Sequence, residues 1–347
     1  MPTLSVVQVD FIKILKWVGL ILGILIGVFL LIKGIFFIKE IVSPTPPPPP
    51  NAAFGKLPPV YLPSGIKKNF TYEVDTISGQ LPLFPDRTKV YKMEFTEPDI
   101  LAFERMSQKA ATLGFDTKAE QLSDSIYRWK IQDPIIKTLV INARSSEFSL
   151  ISNFLVNENL FSDREIMKDE DAVTNAKSFL YSLSLYPEDL DENKTKTRLL
   201  SINKGVISDV DKVTKAKLIS VYFFQKDRDE MPIVYPSGTG STMNITLAGA
   251  GSNMQVIDSR FFYQKTLDES GTYSIISSEQ AFDLLKNGKA YVASHKSKNL
   301  NIVIKKVYLA YYSTGRSQKY LTPVIVFEGK DDFIAYVSAV KDEWIDN

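Results

Sequence analysis

The single histidine is the first candidate for chemistry, because a histidine can act as a general base or bind a metal. It is His295, in the polar stretch Ser294-His295-Lys296-Ser297. A Ser-His-Asp triad needs a carboxylate that orients the ring, and a histidine-based metal site usually needs further ligands of the right type. No such partner is recognisable in the sequence. We therefore expect His295 to lie in a surface loop, without a catalytic or metal role.

Three clusters of carboxylates are the next candidates. They are Asp227-Arg228-Asp229-Glu230, Asp189-Leu190-Asp191-Glu192 and Asp331-Asp332. Glycosidases need two carboxylates that face one cleft, and calcium loops need a spaced Asp/Asn pattern with a glycine and a final glutamate. None of the clusters matches either pattern, so we expect solvated turns.

Two glycine-rich segments could suggest a phosphate-binding loop. They are Gly238-Thr239-Gly240-Ser241 and Gly249-Ala250-Gly251-Ser252. A P-loop needs GxxxxGK[ST] between a strand and a helix. Here strand-like sequence follows both segments and no lysine is correctly placed, so both are predicted to be hairpin loops. We predict no catalytic, cofactor-binding or metal-binding residue, and no cofactor.

The composition excludes further classes of protein. The chain has 347 residues, with 41 Lys+Arg against 40 Asp+Glu, and it lacks the basic excess that is typical of nucleic-acid binders. No nucleic-acid partner is therefore expected. The chain contains no cysteine, which removes disulfides, thiolate nucleophiles and Cys-ligated metals.

One long apolar run stands near the N-terminus. Residues 17–38 read WVGLILGILIGVFLLIKGIFFI. A spanning helix needs roughly 20 predominantly apolar residues, and both a cleaved signal peptide and a buried globular helix fit this run less well. The run is therefore predicted to be a transmembrane anchor. The residues expected to characterise it are Trp17, Gly19, Gly23, Gly27, Lys33, Phe36 and Phe37.

The flanks of the run predict its orientation and its partners. Positive charges are balanced at the two ends, but the short polar head resembles a signal anchor. That resemblance predicts a single-pass protein of the cell membrane, with a cytoplasmic N-terminus and an extracytoplasmic C-terminal domain. The expected partners are the lipid bilayer and another membrane or envelope protein. The glycines at every fourth position could mediate self-association of the helix, although glycine is also simply frequent in membrane helices.

A proline-rich segment follows the apolar run. Residues 43–50 read SPTPPPPP, a sequence that favours a polyproline II helix of about 3 Å per residue. We interpret it as a stalk. The alternative is a ligand for an SH3-like or WW-like groove, and the position directly after the predicted anchor favours the stalk.

The remaining sequence alternates between helical and strand patterns. Helices are predicted from Thr96-Glu97-Pro98-Asp99 to Gly114, from Asp169 to before Pro187, and from the capping box at Ser277 to Gly288. Nine segments rich in β-branched and aromatic residues are predicted to be strands. They are Ser125–Ile131, Thr138–Ile141, Glu147–Ser152, Leu218–Phe224, Asn244–Ala248, Gln255–Tyr263, Asn301–Tyr312, Thr322–Phe327 and Phe333–Val340.

These elements predict an α+β fold class: an N-terminal transmembrane helix plus two antiparallel-sheet modules with helices packed on one face. The predicted organisation follows the chain. It comprises a tail at 1–10, the anchor at 11–41, the stalk at 42–66, a first α+β module at 67–156 and a second at 157–347.

The C-terminal third resembles a known family. The residues that carry the resemblance are Tyr273–Ala281, Leu284, Leu285, Gly288, Ile304–Tyr312, Tyr320–Val324, Phe327 and Phe333–Ala339. In these positions the chain resembles YycH/YycI-like proteins, which are related in shape to PepSY modules. The resemblance implies a bacterial extracytoplasmic domain on one N-terminal helix that regulates a membrane sensor kinase by protein contact.

The sequence therefore predicts a non-catalytic, membrane-anchored binding or regulatory protein that acts through protein contacts. Two alternatives stay open. The first is a cell-envelope hydrolase whose site is assembled from scattered carboxylates. The second is a small-ligand sensor with a pocket between the modules.

Overall fold

A computed structural model describes residues 17, 22–23, 25–31, 33, 50–95, 100–132, 135–145, 147–156, 168–249 and 255–346. The chain divides into two compact units, Met1–Pro49 and Pro50–Asn347. Residues 42–49 of the predicted stalk lie outside the described residues.

The first unit contains the predicted anchor. Its described positions are helical and mostly exposed. No helix in the described part of the chain is long and apolar enough to cross a membrane. The predicted transmembrane anchor and the predicted single-pass membrane localisation are therefore wrong. The prediction depended on the number of apolar residues in the run, which is a necessary condition for a spanning helix and not a sufficient one.

The predicted anchor residues are only partly described. Trp17, Gly23, Gly27 and Lys33 are helical, and the Lys33 ammonium lies 5.4 Å from the ring centroid of Phe29. Apart from the backbone of the helix itself, no described residue has an atom within 4 Å of a Cβ placed on Gly23 or Gly27. Gly19, Phe36 and Phe37 lie outside the described residues.

The second unit is built mainly of β-strands. Its described strands are β1 (Thr71–Val74), β2 (Arg87–Met93), β3 (Glu120–Gln121), β4 (Ile126–Gln132), β5 (Ile136–Asn142), β6 (Phe148–Ser152), β7 (Lys196–Asn203), β8 (Val206–Asp209), β9 (Leu218–Phe223), β10 (Ile233–Val234), β11 (Met243–Ala248), β12 (Gln255–Phe261), β13 (Thr266–Ser274), β14 (Tyr291–Ser294), β15 (Asn301–Tyr312), β16 (Tyr320–Gly329) and β17 (Ile334–Ser338). Its described α-helices are α1 (Ala102–Thr112), α2 (Asp169–Ser182) and α3 (Ser278–Lys286).

The predicted α+β class is therefore wrong, because two large sheets dominate the second unit and the described helices are short. Each of the nine predicted strands coincides with an observed strand, and α2 begins at Asp169 as predicted. The capping box at Ser277 is also confirmed, since its hydroxyl accepts from the Gln280 N–H and the Gln280 side chain accepts from the Ser277 N–H. The predicted start of α1 at 96–99 lies outside the described residues.

One sheet has nine strands in the order β3-β4-β5-β6-β12-β11-β9-β7-β8, and every neighbouring pair is antiparallel. Helices α1 and α2 pack on one face of this sheet. They contribute Met106 and Ala110, and Ala172, Ala176 and Leu180, to a core that includes Trp129, Leu139, Phe148, Val221 and Phe261.

The other sheet has eight strands, with β1-β15-β16-β17-β14 as its main order. Strands β1 and β10 run parallel to β15, while β2 pairs with β13 and with the start of β16. Strand β16 is buried on both faces: Ile325 and Phe327 pack in the cluster that contains Leu285 of α3, whereas Val324 and Val326 pack with a tyrosine-rich cluster.

The chain passes between the two sheets several times. Strands β1 and β2 belong to the eight-stranded sheet, and β3–β9 belong to the nine-stranded sheet. The chain then returns to the eight-stranded sheet with β10, to the nine-stranded sheet with β11 and β12, and to the eight-stranded sheet with β13–β17. The crossing segments therefore lie at the boundary between the sheets, and they form the walls of the site described next.

Candidate functional site

A cleft of about 560 Å³ lies between the polar face of the nine-stranded sheet and segments that belong to the eight-stranded sheet. We call it the inter-sheet cleft. The polar face is the one opposite α1 and α2. The cleft is lined by charged and polar side chains together with aromatic ones, chiefly Tyr61, Glu147, Tyr222, Asn244, Arg260 and Arg316.

Strand register builds the floor of the cleft. Ser149 of β6 stands opposite Arg260 of β12, Arg260 opposite Asn244 of β11, and Asn244 opposite Tyr222 of β9. Residues directly opposite each other point to the same face, and neighbouring strands lie roughly 5 Å apart. A guanidinium, an amide and a phenol therefore lie side by side on one surface.

The tip of the β15–β16 hairpin forms one wall, and its close approach depends on a glycine. Gly315 has a φ of +69°, which side chains disfavour. A Cβ at this position would lie 2.8 Å from Thr242 Cγ2, closer than two carbon atoms can pack. Thr242 belongs to the segment that joins β10 to β11. The hairpin tip and this segment can therefore meet only because residue 315 has no side chain.

Two glutamines hold the same hairpin in place. The Gln318 side chain donates to the carbonyls of Tyr312 and Tyr320, both at 3.0 Å, and accepts from the Thr314 N–H at 2.8 Å. The Gln264 side chain donates to the Gln318 carbonyl at 2.9 Å and accepts from its N–H at 3.0 Å. Gln264 lies between β12 and β13, so these bonds connect the hairpin to the boundary between the sheets.

The charge in the cleft is mainly positive. Arg260 and Arg316 both line it, and the Arg316 guanidinium lies 4.1 Å from the ring centroid of Tyr61. Among the described residues, no carboxylate is within ion-pair distance of either guanidinium. An arginine offers a planar set of donors that fits a carboxylate or phosphate in a bidentate manner. The cleft can therefore take an anionic group.

Glu147 is the carboxylate of the cleft. It is half-buried, and burial raises the pKa of its carboxyl group, while hydrogen bonds from Ser145 and Asn142 act in the opposite direction. The Ser145 hydroxyl donates to it at 3.3 Å.

Asp258 of the same polar face also has a pKa raised by burial, with Arg260 opposing the shift. Asp258 stands opposite Ile151, four positions along β6 from Glu147. At strand spacing this places the two carboxyl groups roughly 14 Å apart. Paired glycosidase carboxylates lie about 5–9.5 Å apart, so these two do not form such a pair. No group of three or more His, Cys, Asp or Glu residues that could hold a metal ion occurs within the described ranges.

His295 lies in the loop between β14 and β15, as predicted, but its ring is packed. Its centroid is 5.2 Å from that of Phe70 in an edge arrangement, and its Nε2 lies 2.8 Å from the Asn299 carbonyl oxygen. It does not line the inter-sheet cleft.

The carboxylate clusters also stay outside the cleft, and each of them is tied to neighbouring side chains. Asp229 accepts from the Tyr91 hydroxyl at 2.5 Å, Asp189 accepts from the Gln225 amide at 3.0 Å, and Asp332 pairs with Lys296 at 2.7 Å.

The two glycine-rich segments, both predicted to be hairpin loops, differ in the strands that they connect. Gly238–Ser241 does not close a hairpin, because it connects β10 of one sheet to β11 of the other. Its neighbours Ser237 and Thr242 line the cleft with Ser241. Gly249 follows β11, which pairs with β12 in an antiparallel manner, and residues 250–254 lie outside the described residues.

The residues that line the cleft were not predicted from the sequence. A usable signal was present in β11, where the polar residues Asn244 and Thr246 alternate with the apolar residues Met243, Ile245 and Leu247. In β12, Asp258 and Arg260 likewise stand two positions apart and therefore on one face. No sequence signal places the two strands side by side with the hairpin tip that carries Arg316, because these segments are brought together only by the crossings between the sheets.

Comparisons with known proteins give little guidance. The chain matches no protein-family model and no curated protein. Among solved structures, it is similar to the crystal structure of an uncharacterized protein from Eubacterium rectale, at 13% sequence identity and a TM-score of 0.38. The similarity covers 78% of this chain and 89% of that one. A likeness of this size supports no argument about function, and the resemblance to YycH/YycI-like proteins stays a prediction.

Proposed function

We propose that this is a non-catalytic binding protein whose ligand site is the inter-sheet cleft. The supporting observation is the presence of Arg260 and Arg316 in one cleft, without a carboxylate ion-pair partner among the described residues. The cleft contains two guanidinium groups and one carboxylate, Glu147, so it has an excess of positive charge that an anionic ligand would neutralise. The ligand's charged group is therefore a carboxylate or a similar anion.

The rest of the cleft determines what the anion is attached to. Tyr61 and Tyr222 present ring surfaces, and Val140 and Ile126 present apolar ones. Pockets of this kind bind an apolar body and orient it with a few polar groups. The proposed ligand is a carboxylate on an aromatic or apolar body, a description that includes a peptide C-terminus with an aromatic last residue. Binding of such a peptide would also serve regulation by protein contact.

A hydrolase is the weaker candidate. The two carboxyl groups on the polar face whose pKa is raised, Glu147 and Asp258, lie too far apart to act on one bond. His295, the only histidine of the chain, lies outside the cleft.

The test is isothermal titration calorimetry with phenylacetate and with its neutral analogue phenylacetamide. We expect saturable binding of phenylacetate and much weaker binding of the amide. Arg260→Gln and Arg316→Gln should each weaken phenylacetate binding by about 10–100-fold, because a hydrogen bond to a charged group contributes about 1.5–3 kcal/mol.

Arg128→Gln is the matched control. Arg128 lies on the same sheet, is held by Glu120 at 2.5 Å, and does not line the cleft. Its substitution should leave the affinity unchanged. Equal affinity of the wild type and Arg260→Gln, or the absence of saturable binding of phenylacetate, would overturn the proposal. Recovery of chemically altered phenylacetamide after incubation would instead indicate an enzyme.

A further inference from the structure

A second cavity, of about 630 Å³, lies beside the inter-sheet cleft. Its walls come from α1, from the turn between β5 and β6, from the segment after α2, and from the segment between β12 and β13. Four of its lining side chains are cationic, namely Arg105, Lys109, Arg144 and Lys265, and one is a carboxylate, Glu94. We call this cavity the basic pocket.

The concentration of charge is local. The whole chain has a net charge of only +1, so four cations around one cavity are not a reflection of an overall basic composition. Arg105 and Lys109 are four residues apart on α1 and therefore share a helix face, where like charges disfavour each other. Arg144 and Lys265 approach the same cavity from two other elements. Like charges that lie close together do not stabilise the folded chain. Such a group of cations is, however, suited to binding an anion.

Lys109 is the cation at which the repulsion between these like charges is visible. It is half-buried, and its ammonium donates to the Leu183 carbonyl. Burial lowers the pKa of Lys109, and repulsion from Arg105 lowers it further. Within the described ranges, neither Lys109, Arg144 nor Lys265 forms an ion pair with a carboxylate.

The neutral part of the lining indicates the kind of anion. Four serines, Ser125, Ser145, Ser184 and Ser317, line the cavity. Hydroxyl groups, ammonium groups and a guanidinium are together the usual donors to phosphate oxygens. The three cations that form no ion pair within the described ranges, Lys109, Arg144 and Lys265, favour a ligand with more than one negative charge, and the volume allows a molecule larger than a single phosphate.

We propose that the basic pocket binds a small molecule that carries phosphate groups. This site is separate from the inter-sheet cleft, and the inference does not depend on the function proposed for that cleft. The two cavities do share lining residues, Asn142 and Phe262. The test must therefore distinguish one cavity from the other.

The experiment is calorimetric titration of the full chain with pyrophosphate at low ionic strength. We expect saturable binding with one site per chain, and an affinity that falls as salt is added. Arg144→Gln and Lys265→Gln should each weaken binding about tenfold, the change expected for the loss of one charged hydrogen bond. Both side chains are exposed, so their substitution should leave the fold intact.

Two controls make the result specific. Lys212→Gln removes an exposed lysine that does not line the pocket, and it should leave pyrophosphate affinity unchanged. Arg260→Gln alters only the inter-sheet cleft and should also leave it unchanged. Titrations with ADP and with ribose 5-phosphate would then show whether a base or a sugar adds affinity.

The outcomes are distinct. No saturable binding of pyrophosphate, or an equal loss of affinity in Lys212→Gln and Lys265→Gln, would overturn the phosphate site. A failure of phenylacetate to bind, together with the expected behaviour of pyrophosphate, would refute the proposed function and support the phosphate site.

Discussion

The two sheets of the second unit differ in how their faces are buried. In the eight-stranded sheet the central strand β16 is buried on both sides, so every residue from Tyr320 to Phe327 is buried. In the nine-stranded sheet one face packs on α1 and α2, while the other carries polar residues at alternating positions. A strand buried on both faces has no surface left for a ligand, whereas a sheet with one polar face can form the floor of a site.

The difference assigns a role to each sheet. The eight-stranded sheet supplies a buried scaffold, and the tip of its β15–β16 hairpin, Thr314–Arg316, lines the cleft on the other sheet. The nine-stranded sheet supplies the floor, with Arg260 and Asn244. Both proposed sites lie along the boundary where these contributions meet. The predictions below test whether the sheets differ as this division requires.

The largest expected effect is the difference in stability between two identical substitutions, one in each sheet. Val326 is fully buried in the eight-stranded sheet, and Val140 is half-buried in the cleft of the other. Val326→Ala should lower the free energy of unfolding by about 2–3 kcal/mol, because it removes buried methyl groups and leaves a cavity. Val140→Ala should lower the free energy of unfolding by about 1 kcal/mol or less, because this side chain is only half-buried and water can fill the space that it leaves. Urea denaturation measures both values, and equal losses would contradict the assignment of scaffold and floor.

The next effect concerns the link between the sheets. Gln264→Ala removes the side chain that bonds both backbone groups of Gln318, and it leaves those groups without their partners. We expect a loss of about 1–3 kcal/mol in the free energy of unfolding. Gln255→Ala is the control, because Gln255 is exposed on β12 and should change stability by less than about 0.5 kcal/mol. Comparable values for the two variants would show that the glutamine link does not hold the hairpin.

A pair of glycines separates backbone strain from steric contact at the cleft. Gly315 and Gly288 both have a φ of +69°, but a Cβ on Gly288 would meet nothing within 4 Å, whereas one on Gly315 would meet Thr242. Gly288→Ala should cost about 1 kcal/mol from the backbone alone. Gly315→Ala should cost about 1 kcal/mol more, and it should weaken phenylacetate binding.

Thr242→Ser provides a check on that contact, because it removes the Cγ2 atom and keeps the hydroxyl that donates to the Phe262 carbonyl. In this background the excess cost of Gly315→Ala should disappear. If thermal unfolding shows the same excess with serine at 242, then the hairpin tip does not contact this segment as described.

The smallest effect is a dependence on pH. Burial raises the pKa of Glu147 above its value in the unfolded chain. Its contribution to stability is therefore fully present below the unfolded pKa of about 4.3, and it is lost as the pH rises through the folded value. Glu147→Gln should thus be more stable than the wild type at neutral pH, with a difference that vanishes below about pH 4. Urea unfolding at both pH values is the measurement. A variant that is less stable at neutral pH would show that the bonds from Ser145 and Asn142 outweigh burial.

Local structure could be predicted from the sequence where a segment carries its own pattern. The alternation in Asn301–Tyr312 and the capping box at Ser277 are such cases, and both elements are observed. The apolar composition of residues 17–38 was a weaker basis, because composition does not establish one continuous spanning helix. Short strands such as Ile233–Val234 have too few residues to show a period and were missed.

The candidate sites could not be predicted, since they depend on contacts between distant segments. Arg260 and Arg316 line one cleft only because the chain leaves the nine-stranded sheet after β12 and forms the β15–β16 hairpin in the other. The four cations of the basic pocket are likewise separated in sequence, except for the pair on α1. No local sequence pattern predicts contacts between residues that are so far apart in the chain. The loop at Gly238–Ser241 shows the same limit, because its glycines predict a turn but not which strands it joins.

Arginine modification tests the central claim most directly. The protein is treated with phenylglyoxal in the presence and absence of saturating phenylacetate, and the extent of labelling at each arginine is read by peptide mass spectrometry. The account predicts that phenylacetate protects Arg260 and Arg316, while Arg128 and Arg144, which lie outside the inter-sheet cleft, are labelled equally in both conditions. Equal labelling of Arg260 with and without phenylacetate, or protection that falls on Arg128 and Arg144 instead, would contradict the assignment of the inter-sheet cleft as the ligand site.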